Sequence, residues 1–378
     1  MKTVARSQLL SVRRVVIKVG SAVLAPGGEL SAPSIRRLCT QIAELAKAGK
    51  QVVVVSSGAV ASGFRALGLD APPKTIRLKQ AAAAIGQQRL MARYAQALEK
   101  AGLSVAQVLL TAEDFEQRSR FLNARHTLET LLEHGIIPII NENDSVSFDE
   151  IKLGDNDRLS ALTAVMLRAD LLVMLSSAPG VLGSGARDAI SAVVPHFDRV
   201  EDARRFVRAD KSAVGTGGMT TKLDAAAIVT RVGIPAIIAP GSLARAVPRL
   251  LAGEEIGTFF EPQSGAPDGR RRWIGLAAKA KGSVVIDAGA VKALCSRGAS
   301  LLPSGISAVQ GTFDQGEVVE VRDEKGKPLA KGLTAYSSRE ITQIKGKKAS
   351  EIMKVLGYSH CDEVIHRDDL LLIEKGAA

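Results

Sequence analysis

The stretch QVVVVSSGAVASG at residues 51–63 opens with four consecutive valines and continues into eight residues of which seven are Ser, Gly or Ala. A β-branched run with no polar alternation predicts a strand covered on both faces, as in a parallel sheet between helices. The small residues behind it suit two purposes that remain open at this point. They let the backbone approach an anionic group near a helix N-terminus, and they let two helices pack closely. The same grammar recurs outward along the chain. Strands are predicted at 14–19 (RVVIKV), 51–55, 103–110, 136–140 (IIPII), 171–175 (LLVML), 235–239 and 256–260. Between them, 34–48, 76–101, 119–134, 157–168 and 219–232 carry apolar residues at helical spacing, and Gly49, Gly102, Gly135 and Gly233 stand where helices should stop. Strands alternating with helices predict an α/β fold, a three-layer α/β/α sandwich with a mainly parallel central sheet.

At 378 residues and 46% hydrophobic, the chain exceeds one average domain. The text changes around 253–276, which is rich in Gly, Pro and charge and holds the only Trp, Trp273. Beyond it, 283–287, 316–321 and 328–336 read as short strands, with helix-like pieces at 288–295 and 349–356. The expected organisation is a first domain over 1–262, a linker over 263–280 and a small, mostly β domain over 281–378. Three cysteines, Cys39, Cys295 and Cys361, lie far apart and cannot form a closed disulfide set, which fits a reducing cytosol. No signal peptide or anchor is read at the start, and no run approaches the roughly 20 apolar residues a spanning helix needs. The net charge is +11, yet residues 277–378 hold fifteen Lys or Arg against thirteen Asp or Glu. The surplus therefore lies mostly in the first 276 residues, diffuse apart from Arg270-Arg271-Arg272, and suits anionic nucleotides about as well as RNA.

Parallel α/β sheets bind ligands beyond the carboxyl ends of their strands, so the loops after the strands are where chemistry is expected. Lys18-Val19-Gly20-Ser21 places a lysine beside a glycine turn, a phosphate contact or an ordinary surface charge. Asn141-Glu142-Asn143-Asp144 after IIPII is followed by Lys152-Leu153-Gly154-Asp155-Asn156-Asp157. Two clusters of short amide and carboxylate side chains can fix a substrate ammonium and organise cations around a phosphate; polar Asx turns are the bland alternative. Gly215-Thr216-Gly217-Gly218-Met219-Thr220-Thr221-Lys222 is a glycine loop opening a helix, with a lysine able to neutralise charge on a moving phosphoryl group. The loop starting at Ser176-Ser177 is positioned for a base and ribose. No Walker A loop and no GxGxxG fingerprint with its acidic residue is present. The five histidines form no ligand-like pair, His126 and His134 are expected on a helix surface, and no metal site is expected from protein side chains.

KVGSAVL, VVVVSSGAVASG, FLNARHTLETLLEHGIIPIINENDSV, EIKLGDNDRLSAL and GTGGMTTKLDAA, in this order and covering nearly the whole chain, resemble the glutamate 5-kinases of the amino acid kinase superfamily. The tail, with GASLLP at 298–303 and GEVVEVRDEKGKPLAKGLTAYSS, resembles a PUA domain. The resemblance implies ATP-dependent phosphorylation of the glutamate γ-carboxylate in the cytoplasm, the first step of proline synthesis, with Mg²⁺ held largely by the ATP phosphates. It implies catalytic roles for Lys18, Lys222 and Asp157, and glutamate contacts from Ser57, Asp144, Asn156 and Asn141. Nucleotide contacts are implied for Lys18, Gly20, Ser176, Ser177 and Gly215 through Lys222. It further implies a homo-oligomer (dimer or tetramer), proline as feedback inhibitor, a glutamyl phosphate reductase as recipient of the product, and RNA as a partner of the PUA domain. The resemblance breaks at Ser176-Ser177 and PGVLGSG, where relatives commonly carry Thr-Asp and a GLYT-like stretch; a loop acid and an aromatic are absent here.

On this reading, Lys222→Ala and Asp157→Ala lower kcat far more than they disturb folding. Two rivals are weighed. One is a kinase for acetylglutamate or a phosphorylated acceptor, against which Asp144 counts because it suits a free ammonium. The other is a primarily RNA-binding protein, against which the balanced tail and its scarcity of stacking aromatics count, Tyr336 and Tyr358 being the candidates.

Overall fold

The computed structural model describes residues 6, 8–146, 156–183, 193–207, 218–263, 280–359 and 361–373. It divides into two compact units, the first comprising Met1–Asp114 and Ser119–Ala266 and the second built on Pro267–Ala378. Nearly all of the expected linker, 264–279, lies outside the described residues.

The first unit is built on an eight-stranded sheet: β1 Arg14–Val19, β2 Gln51–Ser56, β3 Val105–Leu110, β4 Ile137–Glu142, β5 Leu171–Ser176, β6 His196–Phe197, β7 Ala236–Pro240 and β8 Thr258–Phe260. Their order is β3-β4-β2-β1-β5-β7-β8-β6. Every pairing is parallel except β7 with β8. The sheet is thus mainly parallel, as the valine runs predict. Strand β8 falls within the predicted 256–260, but its reversed direction and the two-residue β6 were not anticipated, because a strand of two residues carries no periodic signal and periodicity does not state direction.

The period-2 alternation of a strand assigns each residue to a face. Val15, Ile17, Val52, Val54, Ile139 and Val173 join one core with helices α1 (Ala32–Lys47) and α3 (Ile76–Glu99). Val16, Val53, Val55, Ile140 and Met174 are equally buried on the opposite face. That face is covered by α5 (Asn156–Met166) and α6 (Met219–Thr230), the former packing on β1, β2, β4 and β5. Two further helices, α2 (Ala59–Gly63) and α4 (Arg118–Glu133), complete the elements used below. Gly49, Gly102, Gly135 and Gly233 all take positive φ, between 69° and 79°, at the helix ends where the spacing places them.

Helices α2 and α3 touch backbone to backbone. A Cβ added to Gly86 would lie 1.8 Å from the Ala59 carbonyl oxygen, and one on Gly63 would lie 1.9 Å from that of Ala82. The small residues of SSGAVASG are therefore a packing requirement at Gly63. Gly86→Ala gains about 1 kcal/mol of helix propensity but forces two backbones apart, an overpacking cost of about 3 kcal/mol. The expected result is a melting midpoint several degrees below wild type in a thermal scan; an unchanged or higher midpoint contradicts the contact.

The second unit is a five-stranded sheet of β9 Gly282–Ile286, β10 Ile306–Gly311, β11 Val318–Asp323, β12 Pro328–Leu333 and β13 Leu370–Leu372, ordered β10-β9-β11-β12-β13. Its core includes Val284, Phe313, Val319, Tyr336 and Ile341. A capping box, Ser337 with Glu340, starts the helix Ser338–Ile344 that packs on it. Tyr336, one of the two candidate stacking aromatics, is fully buried and donates its hydroxyl to the Cys361 carbonyl. It is a core residue, because an apolar ring with one satisfied hydroxyl is stable inside. Tyr358 is 40% exposed and bonds Glu340. Among the described residues, no helix is long and apolar enough to cross a membrane.

Candidate active site

The chain lays β1, β2, β4 and β3 outward to one side and then crosses to β5 and β7 on the other side of β1. The strand order reverses at β1, and the end of that strand carries Lys18. Its parity with Val16 turns the side chain to the face covered by α5 and α6. There Lys18 Nζ lies 2.6 Å from Asp157 Oδ1. Lys222 Nζ lies 3.1 Å from Asp157 Oδ2, and the Thr221 hydroxyl 2.8 Å from the same oxygen. All three charged groups are buried: Asp157 is 0% exposed, Lys18 2% and Lys222 6%.

Burial alone would raise the Asp157 carboxyl pKa; the charges of Lys18 and Lys222, with hydrogen bonds from Lys18 and Thr221, overcome it and hold the value down at about 2. Among the described residues the centre carries two cations and one anion, and removing charges from water is costly unless they are well paired. Two desolvated ammonium groups held on one carboxylate are an arrangement able to meet an anion.

Asp157 and Lys222 reach this point because they occupy the first turns of helices that point at the strand ends. Helix α6 is capped at Gly218, whose backbone is extended and has no side chain to cap the helix, and a helix N-terminus of this kind suits phosphate oxygens. Gly20, in the turn after β1, sits over the same cation: a Cβ there would lie 3.6 Å from Lys18 Nζ. Gly218, Met219, Thr220 and Thr221 are in place around the α6 start, whereas Gly215, Thr216 and Gly217 lie outside the described residues. Ser176 ends β5 and is buried, its hydroxyl accepting from the Ala178 amide at 3.2 Å; Ser177 is exposed. The loop that departs from the family pattern is anchored by the Val181 amide donating to Thr258 Oγ1 at 2.8 Å, and Gly180 has no room for a Cβ against Val193 and Thr258.

One residue before Asp157, Asn156 enters a second cluster at the ends of β2 and β4. Its Nδ2 lies 2.9 Å from Ser57 Oγ, 2.9 Å from Asn141 Oδ1 and 3.1 Å from the Ser56 carbonyl. Asp144 stands half-buried on the turn just beyond β4. The sequence reading missed two residues here, both from α3. Gln87 Oε1 accepts from Asn141 Nδ2 at 2.9 Å, and the Tyr94 hydroxyl meets Ser56 Oγ at 2.9 Å, with burial pushing the Tyr94 pKa up. Their signal was a polar group on a buried stripe: Gln87 follows Ala83 by four residues and precedes Leu90 by three and Tyr94 by seven, all buried.

His126 and His134 are exposed on α4 and just after it. His196, Asp198 and Glu261 come together at the β6–β8 edge, a grouping the spacing concealed. His196 Nε2 is 3.0 Å from Glu261 and its ring stacks on Phe259, so hydrogen bonding and packing account for it. All three cysteines are free, and burial pushes the Cys39 thiol up to about 12.

A buried centre of two lysines and one carboxylate at the strand ends of a mainly parallel sheet is an arrangement able to receive a transferring phosphoryl group. The family model that matches residues 13–240 is the amino acid kinase family, and a PUA domain model matches residues 282–356. The chain belongs to the amino acid kinase family and carries a PUA domain. Within that family it belongs to the glutamate 5-kinases. It is 46% identical to the glutamate 5-kinase of Syntrophotalea carbinolica over 370 residues, 97% of this chain and 99% of that protein. It is 47% identical to the glutamate 5-kinase of Trichlorobacter lovleyi over 371 residues, again 97% and 99%. Among solved structures, carbamate kinase from Giardia lamblia bound to AMP-PNP aligns with 18% identity and a TM-score of 0.49, over 67% of this chain and 100% of that one.

Proposed function

We propose that this chain transfers the γ-phosphoryl group of ATP to the γ-carboxylate of L-glutamate, the first step of proline synthesis. The observation that carries the reading is the Lys18–Asp157–Lys222 centre, joined by the single step from Asp157 to Asn156 to an amide cluster suited to a small amino acid. Glutamate as acceptor is supported by the near full-length relatives.

The γ-carboxylate is ionised at neutral pH, so the reaction needs no general base, and positioning and charge control remain. Ser57, Asn141, Asp144 and Asn156 hold glutamate, with the carboxylate of Asp144 matched to the ammonium. A carboxylate oxygen attacks the γ-phosphorus as the bond to the β,γ-bridging oxygen breaks, and ADP departs with that electron pair. Lys18 and Lys222 stabilise the charge on the moving group, Asp157 holds both in place, and the backbone from Gly215 to Lys222 receives the nucleotide together with Gly20, Ser176 and Ser177. Both Asp157 oxygens face cations, a donor set that fits Mg²⁺ carried on the nucleotide phosphates with retained waters rather than caged by protein carboxylates. That ion neutralises phosphate charge when bound.

The same reading includes a cytoplasmic homo-oligomer, proline as feedback inhibitor, and a reductase that takes the labile acyl phosphate; their support is the family resemblance. RNA is the natural partner class for the PUA unit. The reading is tested with Mg²⁺-ATP, hydroxylamine and four acceptors: glutamate, acetylglutamate, aspartate and UMP. Glutamate-dependent hydroxamate is the expected outcome. Turnover with another acceptor and none with glutamate keeps the fold and overturns the substrate.

A further inference from the structure

We propose that Gln87 is a positioning residue for the acceptor substrate: by taking the Asn141 amide on the side away from Asn156 it supports the backbone groups that hold both carboxamides in one orientation, and so helps keep Asn156 Oδ1 for the ligand. This rests on the glutamate-binding role given to Asn156 above. A carboxamide can enter a site with its oxygen and nitrogen exchanged, and only its neighbours decide. Gln87 Oε1 accepts from Asn141 Nδ2 at 2.9 Å, the orientation that the backbone amide of Glu142 also requires. Asn141 Oδ1 then faces the other way, where it takes the Glu142 amide at 2.9 Å and Asn156 Nδ2 at 2.9 Å. The Ser56 carbonyl, 3.1 Å from the same Nδ2, agrees with that orientation.

What remains is Asn156 Oδ1, buried and accepting no hydrogen bond among the described residues. A buried acceptor without a donor is unfavourable, and an ammonium or other N–H group of a ligand satisfies it where a carboxylate repels it. Gln87 is only 8% exposed, and its Nε2, 3.4 Å from Gln107 Oε1, continues the head-to-tail sequence of amides. The polarity of the acceptor site, set by the Glu142 amide and the Ser56 carbonyl, is thus buttressed from α3, two hydrogen bonds behind Asn156.

The test is steady-state kinetics of full-length Gln87→Met and Gln87→Glu beside wild type, with melting midpoints. Methionine removes the acceptor at similar size; glutamate keeps an oxygen opposite Asn141. Gln87→Met is expected to raise KM for glutamate about tenfold, the value of one hydrogen bond, while KM for ATP stays within about twofold. Gln87→Glu is expected to bring the glutamate KM back to within about threefold of wild type. An unchanged glutamate KM in Gln87→Met overturns the inference. So does a joint rise of both KM values with a lower melting midpoint and no rescue by Gln87→Glu, the pattern of a purely structural residue. Failure of the glutamate reading appears instead in the wild type, as turnover of a different acceptor. The KM split measured with that acceptor then decides the role of Gln87, and a wild type that turns over no acceptor overturns both.

Discussion

Lys222→Ala lowers kcat by about a hundred- to a thousandfold, the cost of losing one preorganised donor that meets developing charge, with the protein still folded. Removing Lys222 leaves the Asp157 carboxylate paired, because Lys18 stays 2.6 Å from it. The Thr221 hydroxyl also stays within reach of the Asp157 oxygen that Lys222 leaves, at 2.8 Å. The loss is therefore expected in turnover rather than stability. Lys222→Arg is not a rescue, since a planar fork cannot occupy a site shaped for one compact ammonium that also lies 3.4 Å from the Gly218 carbonyl. Single-turnover rates of Lys222→Ala close to wild type contradict the assignment.

Asp157→Asn has the second large effect, and here the structure corrects the expectation drawn from sequence. A carboxylate in a polar loop could be removed with little harm to folding, but Asp157 is 0% exposed between two buried lysines. Neutralising it removes the buried carboxylate that both ammonium groups face, at a cost of about 3–5 kcal/mol. Activity and stability should fall together, the latter measured as the denaturant midpoint. The pH dependence gives a second readout. Asp157 is held at about 2 against an ordinary 3.8, so its contribution is fully present above about pH 4 and is lost as pH falls toward 2. The wild type should lose about 2 kcal/mol across that window from this group alone, and the stability gap to Asp157→Asn should narrow there. A gap constant between pH 5 and 2 contradicts the pairing.

These residues also mark how far the sequence could be read. The valine and isoleucine runs announced β1, β2, β4 and β5 because strands buried on both faces have no polar positions to blur them. Gly49, Gly102, Gly135 and Gly233 announced helix ends because positive φ is costly for other residues. Lys18, Asp157 and Lys222 could be picked out one by one, yet nothing in their spacing states that one carboxylate faces both lysines. That follows from strand parity at β1 and from two helices meeting over it. Gln87 and Tyr94 stayed hidden because their partners, Asn141 and Ser56, lie on other strands and pair with them only once α3 is docked. Tyr336 was misjudged because an aromatic in a polar segment looks the same whether it stacks on a base or fills a small core.

The most direct test of the central claim is oxygen transfer from the acceptor to phosphate. With glutamate carrying ¹⁸O in both γ-carboxylate oxygens and unlabelled Mg²⁺-ATP, the attacking oxygen becomes the bridge of the acyl phosphate. When the product cyclises, its nitrogen displaces phosphate at carbon, and that oxygen leaves with phosphorus. Inorganic phosphate carrying one ¹⁸O per turnover is the predicted result. Phosphate without label, released at the rate of ADP, would mean that water and not the glutamate carboxylate attacks the γ-phosphorus, and would contradict the assignment of this site.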